Sequence, residues 1–460
     1  MSHETFTQKS RIDAPVETVF AWHERPGALE RLLPPWRNIR VVERTGGIEN
    51  GAKVKLRMSA AGLSTTMTVE HRDYEKNRQF RDLQIAGPMH YWQQTHRFEP
   101  ADGGCAMIDE IEYEMPLGGI SRALTGGAMR REIERVFRFR HKRVADDLAL
   151  HARLNADRPW KVAVSGSHGF IGSALAATLT TGGHAVYRIV RGEAKGDEQI
   201  GWDPATGEVD REKLAGLDAV VHLAAEPLMG KWSEQKKRKI RDSRVEGTRQ
   251  IAEAVAGTEG GPRVLIAASA VGYYGDRSEE VLDESSEPGE GFLAEVCREW
   301  EAATRPAAEA GVRVVNARFG LVMSPAGAAL GAMLPVFKLG LGVKLGDGRS
   351  WWSWVSRDDV VGAICHAIAT EELSGPVNVV APEPVRNGAF AKTLGRVLRR
   401  PAVLAVPRAA LKLALSELAQ EGPTASQRVR PGKLEASGFV FRDPELEPAL
   451  RGMLGLEARG

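Results

Sequence analysis

The sequence predicts two fold classes in one chain: an α/β Rossmann-like, doubly wound parallel sheet over most of the length, preceded by an α+β unit in which an antiparallel sheet packs on a long C-terminal helix. Three observations carry this. From residue 160 onward, apolar strands alternate with amphipathic helices, which is the pattern of a parallel sheet covered on both faces. Up to residue 155, runs of period two follow one another without helices between them, the pattern of an antiparallel sheet. Between the two textures, "NADRPW" reads as a linker.

Bulk properties agree. A chain of 460 residues is too long for one ordinary core, and 43% hydrophobic with 27% charged residues suits a globular protein. A net charge of +2 argues against a general nucleic-acid surface. Cys105, Cys297 and Cys365 have neither disulfide-framework nor metal-ligand spacing, so reduced thiols in a cytoplasmic protein and no metal site are expected. The polar start "MSHETFTQKS" and the lack of any run of 18 apolar residues predict neither secretion nor a membrane span.

The first unit opens with the strand "FTQKSRI" and then "DAPVETVFAW", where Pro15 suits a first helical turn and Val16, Val19 and Phe20 form an apolar stripe. Strands follow at "AKVKLRMS", "TTMTVEHRD", "RQFRDLQI", "YWQQTHRFE" and "AMIDEIEYEM", separated by turns such as "ADGG". A helix from about Gly127 to Leu154 places Ile133, Phe137, Val144 and Leu148 on one stripe. A curved sheet clasping such a helix leaves a ligand cavity between them. This order of elements, with the "APVETVFAW" start, resembles the helix-grip START/polyketide-cyclase-like (SRPBCC) family over residues 3–152. The resemblance implies an apolar small-molecule ligand.

In the second unit the strands are "KVAVSG", "AVYRIV", "AVVHLAA", "RVLIAAS" and "VRVVNARFG", with helices from Ile171, over the basic run "KWSEQKKRKIRDSRVEGTRQ" and around Glu295–Ala310. "VAVSGSHGFIGSAL" sets Gly166, Gly169 and Gly172 between a strand and a helix. Gly166 permits the tight turn, Gly169 lets backbone approach a pyrophosphate, and Gly172 lets the helix pack on the strand, with Phe170 and Ile171 at the helix N-terminus over the phosphates. At the end of the second strand, where an acidic residue would bind an adenosine ribose, stands Arg191, with Arg188 nearby. A guanidinium there can pair with a 2′-phosphate, so NADP is expected over NAD. "HLAAEP" offers Leu223, Ala224 and Ala225 as a surface for the adenosine, with Glu226 the first ionisable group beyond. Arg244, beside "VEGT", is the expected contact to cofactor or substrate phosphate.

Together with "WDPATGEVD", "ASAVGYYGD", "FLAEVCREWEAA", "ARFGLVMSPAGAALGAMLPVFKLGLG", "WSWVSRDDVV" and "PVNVVAPEPVRN", these stretches resemble, in order over residues 161–395, the extended short-chain dehydrogenase/reductase superfamily, and more closely its atypical "epimerase family protein" subgroup. "SQRVRPGKLEASGFVFRDPELEPALRGML" is similar to that subgroup's short C-terminal segment. The resemblance implies three modules: a ligand-binding domain at 1–155, a nucleotide domain at 160–395, and a small segment at 396–460 on its substrate side. It also implies that Leu321 and Val322 pass the nicotinamide end.

The departures bear on chemistry. Aligning "YYG" with the superfamily's "VYG" puts Ala270 at the catalytic Ser/Thr position and Ser269 one residue early, on the opposite face of the strand. The Tyr position falls on Phe292 and the Lys position near Val296. None of the six Tyr has Lys four residues on. Ser269 is therefore kept as a cofactor contact only. Tyr274 is the first candidate for a proton donor, with Tyr273, Glu226, Asp276 and Lys344 behind it. Trp351, Trp352 and Trp354 read as packing or a cleft wall, and Asp358 and Asp359 as helix-start residues. The function expected is an NADP-dependent oxidoreductase or epimerase on a small hydrophobic or sugar-like molecule; the alternative is a non-catalytic, NADP-responsive binding protein.

Overall fold

Alternating side chains along residues 4–114 build seven antiparallel strands: β1 (Glu4–Ile12), β2 (Asn38–Thr45), β3 (Lys53–Ala60), β4 (Leu63–Glu75), β5 (Gln79–Ala86), β6 (Tyr91–Ala101) and β7 (Gly104–Glu114), in sheet order β1-β7-β6-β5-β4-β3-β2. These come from a computed structural model that describes residues 3–456 except 61, 116–117, 416–417 and 423. Two short helices, α1 (Val16–Glu24) and α2 (Ala28–Leu32), separate β1 from β2. A long helix, α3 (Gly118–Leu154), follows β7. It starts nine residues before the expected Gly127, so Gly126 and Gly127 lie within the helix rather than ahead of it.

Phe20 and Trp22 of α1, Phe98 of β6, Met107 of β7 and Val144 and Leu148 of α3 form one apolar core of this unit, and Phe6, Ile111, Ile133 and Phe137 a second. Between the sheet, α2 and α3 lies a cavity of about 700 Å³, its walls including Leu29, Leu56, Met67 and Ile133. A volume of that order accommodates a drug-sized molecule.

The second unit comprises residues 156–179 and 184–451, the first unit the rest. Its sheet has the order β11-β10-β9-β8-β12-β13-β15-β20. The strands are β8 (Lys161–Ser165), β9 (Ala185–Arg191), β10 (Gln199–Asp203), β11 (Glu208–Val209), β12 (Ala219–His222), β13 (Val264–Ala270), β15 (Arg313–Phe319) and β20 (Gly375–Val379). All neighbours are parallel except the β10–β11 pair. Helices α4 (Gly172–Thr181), α5 (Glu234–Ala256), α6 (Phe292–Ala302) and α7 (Arg305–Glu309) connect them, and β14 (Val281–Leu282) lies between β13 and α6. The one helix expected at Glu295–Ala310 is two, α6 and α7, with Pro306 in the first turn of the second, where a missing N–H costs nothing.

The order reverses at β8, with β9 on one side and β12 on the other. In open α/β sheets a ligand crevice forms at such a switch point, outside the carboxyl ends of the strands. Downstream, β16 (Leu321–Met323), α8 (Ala328–Lys338), β17 (Val343–Leu345), β18 (Trp351–Trp352), β19 (Trp354–Ser356) and α9 (Arg357–Ala369) precede β20. Among the described residues no helix is long and apolar enough to cross a membrane.

Candidate functional site

The switch-point crevice is built by glycines whose lack of a side chain is a matter of distance. Gly166 has φ of 64°, and a Cβ there would stand 3.0 Å from the Ala224 nitrogen and the Leu223 carbonyl carbon. A Cβ on Gly172 would stand 2.3 Å from the Gly166 carbonyl oxygen, a backbone atom that cannot swing aside. The Gly166–Gly172 turn is thus pressed between β8, α4 and the strand end after β12. The Ser173 amide donates to the Gly169 carbonyl at 3.0 Å, and the positive end of the α4 dipole faces this turn, so the turn can bind an anion. The Phe170 ring lies beneath Gly327, where a Cβ would come within 2.6 Å of it.

A residue that sequence reasoning passed over fixes the other wall. The buried Ser165 Oγ accepts from the amides of Leu223 (3.0 Å) and Ala224 (3.2 Å) and lies 2.8 Å from His222 Nδ1. With both lone pairs engaged, the hydroxyl proton goes to Nδ1, and the ring's own proton sits on Nε2. Burial pushes the His222 pKa down to about 4, which keeps the ring neutral. Among the described residues its Nε2 has no hydrogen-bond acceptor, and the ring stands edge-on to Trp202, with centroids 5.7 Å apart.

Next to this wall is a pocket of about 620 Å³, lined among others by Arg191, Trp202, Ala224, Ala225, Glu226 and Lys239. Arg191 is exposed, and among the described residues neither it nor Lys239 forms an ion pair. By contrast Arg249, also on this pocket, is held by Glu246 and Glu253 at 2.6 Å each. Glu226 pairs with Lys236 at 2.7 Å, and that hydrogen bond holds its carboxyl below the usual range, with help from the fields of Lys239 and Arg191. Arg188 reaches the Ser167 carbonyl at 3.4 Å.

Arg244 is turned away from the pocket and buried. Its Nη1 donates to the carbonyls of Glu226 (3.0 Å) and Ile240 (3.1 Å), and its guanidinium lies 5.0 Å from the Trp300 ring centroid. It clamps the segment after β12 to α5, with its charge turned to backbone carbonyls and an aromatic face.

The end of β13 leads into a buried polar network. Ser269 Oγ donates to Glu301 at 2.6 Å; Arg318 binds Glu301 through two nitrogens at 2.8 Å each; and Arg318 Nη1 donates to the Tyr274 hydroxyl at 2.9 Å. That hydroxyl in turn lies 2.7 Å from Asn378 Oδ1 and 2.8 Å from the Asp283 carbonyl, sharing its one proton between them. Tyr274 is fully buried, and burial pushes its pKa up to about 12. It borders neither pocket described above. The side chain expected to give a proton to substrate is thereby committed to the core, its hydroxyl enclosed by Arg318, Asn378 and Asp283.

Tyr273 lies under the Arg318 guanidinium, 3.5 Å from its ring centroid. Asp276 accepts from the amides of Ser278 and Ser426, and Lys344 is on β17, half-buried. The Trp351 ring is faced by Arg386 and Arg428, and Trp352 and Trp354 are buried, as packing requires. Val322 lies half-buried on β16, paired with Val355 of β19. The carboxylate of Asp359 does more than start α9. It accepts from the amides of Arg442 (2.7 Å) and Asp443 (3.0 Å), tying the C-terminal segment to that helix.

Comparison with known proteins agrees with this architecture. Residues 162–380 match the NAD dependent epimerase/dehydratase family, residues 3–149 the polyketide cyclase/dehydrase and lipid transport family, and residues 406–453 a domain of unknown function, DUF1731. An epimerase family protein of Mycobacterium bovis is 46% identical over 290 residues, spanning 63% of this chain and 96% of the relative. The chain belongs to the epimerase family.

Within that family, a crystal structure of a nucleoside-diphosphate sugar epimerase from Corynebacterium glutamicum is 35% identical with a TM-score of 0.78, covering 98% of this chain and 90% of that one. The human epimerase family protein SDR39U1, solved with NADPH, is 32% identical with a TM-score of 0.59, over 64% of this chain and 98% of its own. The resemblance leads one to expect Ala270, Phe292 and a residue near Val296 where short-chain dehydrogenases carry Ser/Thr, Tyr and Lys. Phe292 stands edge-on to Trp232 at 5.3 Å between centroids, and Val296 is buried. The amides of Phe292 and Leu293, at the start of α6, donate to the Glu421 carboxylate at 3.0 and 2.6 Å. No local sequence signal marks Glu421 for this task, since it lies 129 residues from Phe292.

Proposed function

We propose that this epimerase family member binds NADP(H) in preference to NAD(H) at the switch-point crevice, as an oxidoreductase or epimerase on a small hydrophobic or sugar-like molecule. Its N-terminal module, 1–155, binds a largely apolar ligand, and the chain continues with a nucleotide module at 160–395 and a short segment at 396–460. The observation that carries the cofactor reading is the pair of uncompensated cations, Arg191 and Lys239, on a pocket that Ala224 and Ala225 also line. Two exposed cations without ion pairs of their own can take up a phosphate there, and the 2′-phosphate distinguishes NADP from NAD. The human relative solved with NADPH supports the same choice.

The pyrophosphate would be held by the backbone of Gly166, Gly169, Phe170, Ile171 and Gly172, and the adenosine by Leu223, Ala224 and Ala225. Arg191 and Lys239 would hold the 2′-phosphate, with Val322 toward the nicotinamide. Arg244 and Ser269 act at one remove, as positioning residues for the loop after β12 and the end of β13. When bound, the cofactor supplies hydride exchange. The chain must then exclude water and deliver a proton, a step that contributes on the order of 10²- to 10⁴-fold when a side chain performs it. Tyr274 is assigned to the core and not to that step.

The second reading, NADP-responsive binding without turnover, is supported by the side chains that the resemblance aligns with the superfamily's relay: Ala270, Phe292 and, near the Lys position, Val296 carry no titratable group. Cys105, Cys297 and Cys365 are buried thiols outside any disulfide, which supports a reducing, cytoplasmic setting. Purified protein titrated with NADPH and followed by energy transfer from tryptophan to the nicotinamide tests the common core of both readings. A saturable signal that NADP⁺ displaces supports it, and its absence sinks it. Steady NADPH oxidation with any member of a carbonyl panel, set against none, separates the first reading from the second.

A further inference from the structure

The cavity of the N-terminal unit has an apolar wall and a polar floor, and the floor follows from strand register. His71 of β4 faces Asp82 of β5, and His96 of β6 faces Asp109 of β7, as direct cross-strand partners. Side chains so placed meet: His71 Nδ1 is 2.6 Å from Asp82, His96 Nε2 is 3.4 Å from Asp82, and His96 Nδ1 is 2.5 Å from Asp109. From α3, His141 Nε2 closes on Asp109 at 2.6 Å. Each carboxylate is thus flanked by two imidazoles, and Gln94 adds a donor to Asp109 at 3.2 Å. The ladder satisfies its own charge.

Arg140 of α3 stands outside it. It lines the cavity, donates through Nε to the Leu32 carbonyl at 3.3 Å, and rests its guanidinium 4.9 Å from the Phe137 ring centroid. Among the described residues it forms no ion pair, whereas two other cavity arginines do, Arg37 with Glu132 at 2.8 Å and Arg44 with Glu30 at 2.9 Å. Burial pulls its pKa below the ordinary arginine value, against the fields of Asp109 and Asp82. A cation on a largely apolar cavity wall with no ion pair of its own is placed to take a counter-ion from a ligand. His23, also on the cavity, cannot donate to an anion: its Nδ1 donates to the Val19 carbonyl at 2.8 Å, which leaves only a lone pair on Nε2.

We infer that the ligand of this cavity is an apolar monocarboxylate, its hydrocarbon body on the walls of β3, β4 and α3 and its carboxylate paired with Arg140 in fork-to-fork geometry. The inference rests on the reading that the N-terminal unit binds an apolar ligand, and it narrows that ligand to one charge class.

The test is calorimetric titration of the full chain with dodecanoate and with methyl dodecanoate, which share a hydrocarbon body and differ in charge. Wild type is expected to bind the acid at least tenfold more tightly. Arg140→Met should abolish that gap while leaving the ester's affinity within about twofold, and Arg140→Lys should keep most of it. Equal affinity of acid and ester for wild type, or a gap that persists in Arg140→Met, overturns the proposal. Binding of neither compound by wild type sinks the wider reading of the unit as an apolar-ligand binder. If Arg140→Met does not fold, the wild-type comparison and Arg140→Lys still decide, with NADPH binding by the same preparations reporting the rest of the chain.

Discussion

Replacing Tyr274 by Phe removes one oxygen from the centre of the Ser269–Glu301–Arg318–Asn378 network and leaves the ring in place. In the wild type that oxygen accepts from Arg318 Nη1 at 2.9 Å and has its proton shared between Asn378 Oδ1 and the Asp283 carbonyl. Without it, Arg318 keeps its two bonds to Glu301 but loses a third acceptor, and the side chain of Asn378, fully buried, keeps only the bond from Nδ2 to the Arg430 carbonyl. Each buried polar group left unpaired costs about 1–3 kcal/mol, so the two together should cost about 2–6 kcal/mol of stability. Urea unfolding followed by tryptophan fluorescence reads this as a lower midpoint at unchanged slope. NADPH affinity should stay within about twofold, because the side chain touches neither pocket. A variant as stable as wild type, or one that keeps its stability and loses turnover with a carbonyl substrate, would refute the assignment of Tyr274 to the core.

Other perturbations follow from single distances. Gly172→Ala puts a methyl 2.3 Å from the Gly166 carbonyl oxygen, so the loop must open; a stability loss of about 1–3 kcal/mol and a loss of NADPH affinity of tenfold or more are expected by calorimetry. Asp359 is buried with its pKa raised to about 7, first by burial and then by Asp443. A carboxyl whose folded pKa is raised contributes stability that is complete below its ordinary value of 3.8 and is lost as pH rises from there through about 7. Asp443→Asn removes the neighbouring charge, so it should be more stable than wild type near pH 8 by about 1.4 kcal/mol per unit of pKa shift relieved, with the difference closing near pH 4. Thermal melts across that range check both sign and window.

The parts legible in the sequence are those whose cause is local. "VAVS" and "AVVH" read as strands because both faces are buried, and the strands they predict, β8 and β12, are buried almost throughout. Gly166 and Gly172 were legible because a glycine between strand and helix has few other reasons to recur. The strand Asn38–Thr45 was missed because it buries none of its side chains fully and so shows little apolar alternation. Side-chain direction was not legible either. Arg244 and Tyr274 lie near the site along the chain, but their orientations are set by Trp300 and by Asn378, the latter 104 residues away. Ser165 gave a faint signal, a hydroxyl at the last position of the first strand; Lys239 was hidden in a basic run that reads as a solvated helix face.

The central claim is that the uncompensated pair Arg191 and Lys239 selects a phosphate-bearing dinucleotide. Its most direct test is the ratio of NADH to NADPH dissociation constants, measured calorimetrically on wild type and on Arg191→Ala. The account predicts NADPH tighter by tenfold or more, about 1.4 kcal/mol, with the gap shrinking several-fold in Arg191→Ala while NADH affinity holds. Equal affinities in wild type, or a gap indifferent to Arg191→Ala, would contradict it.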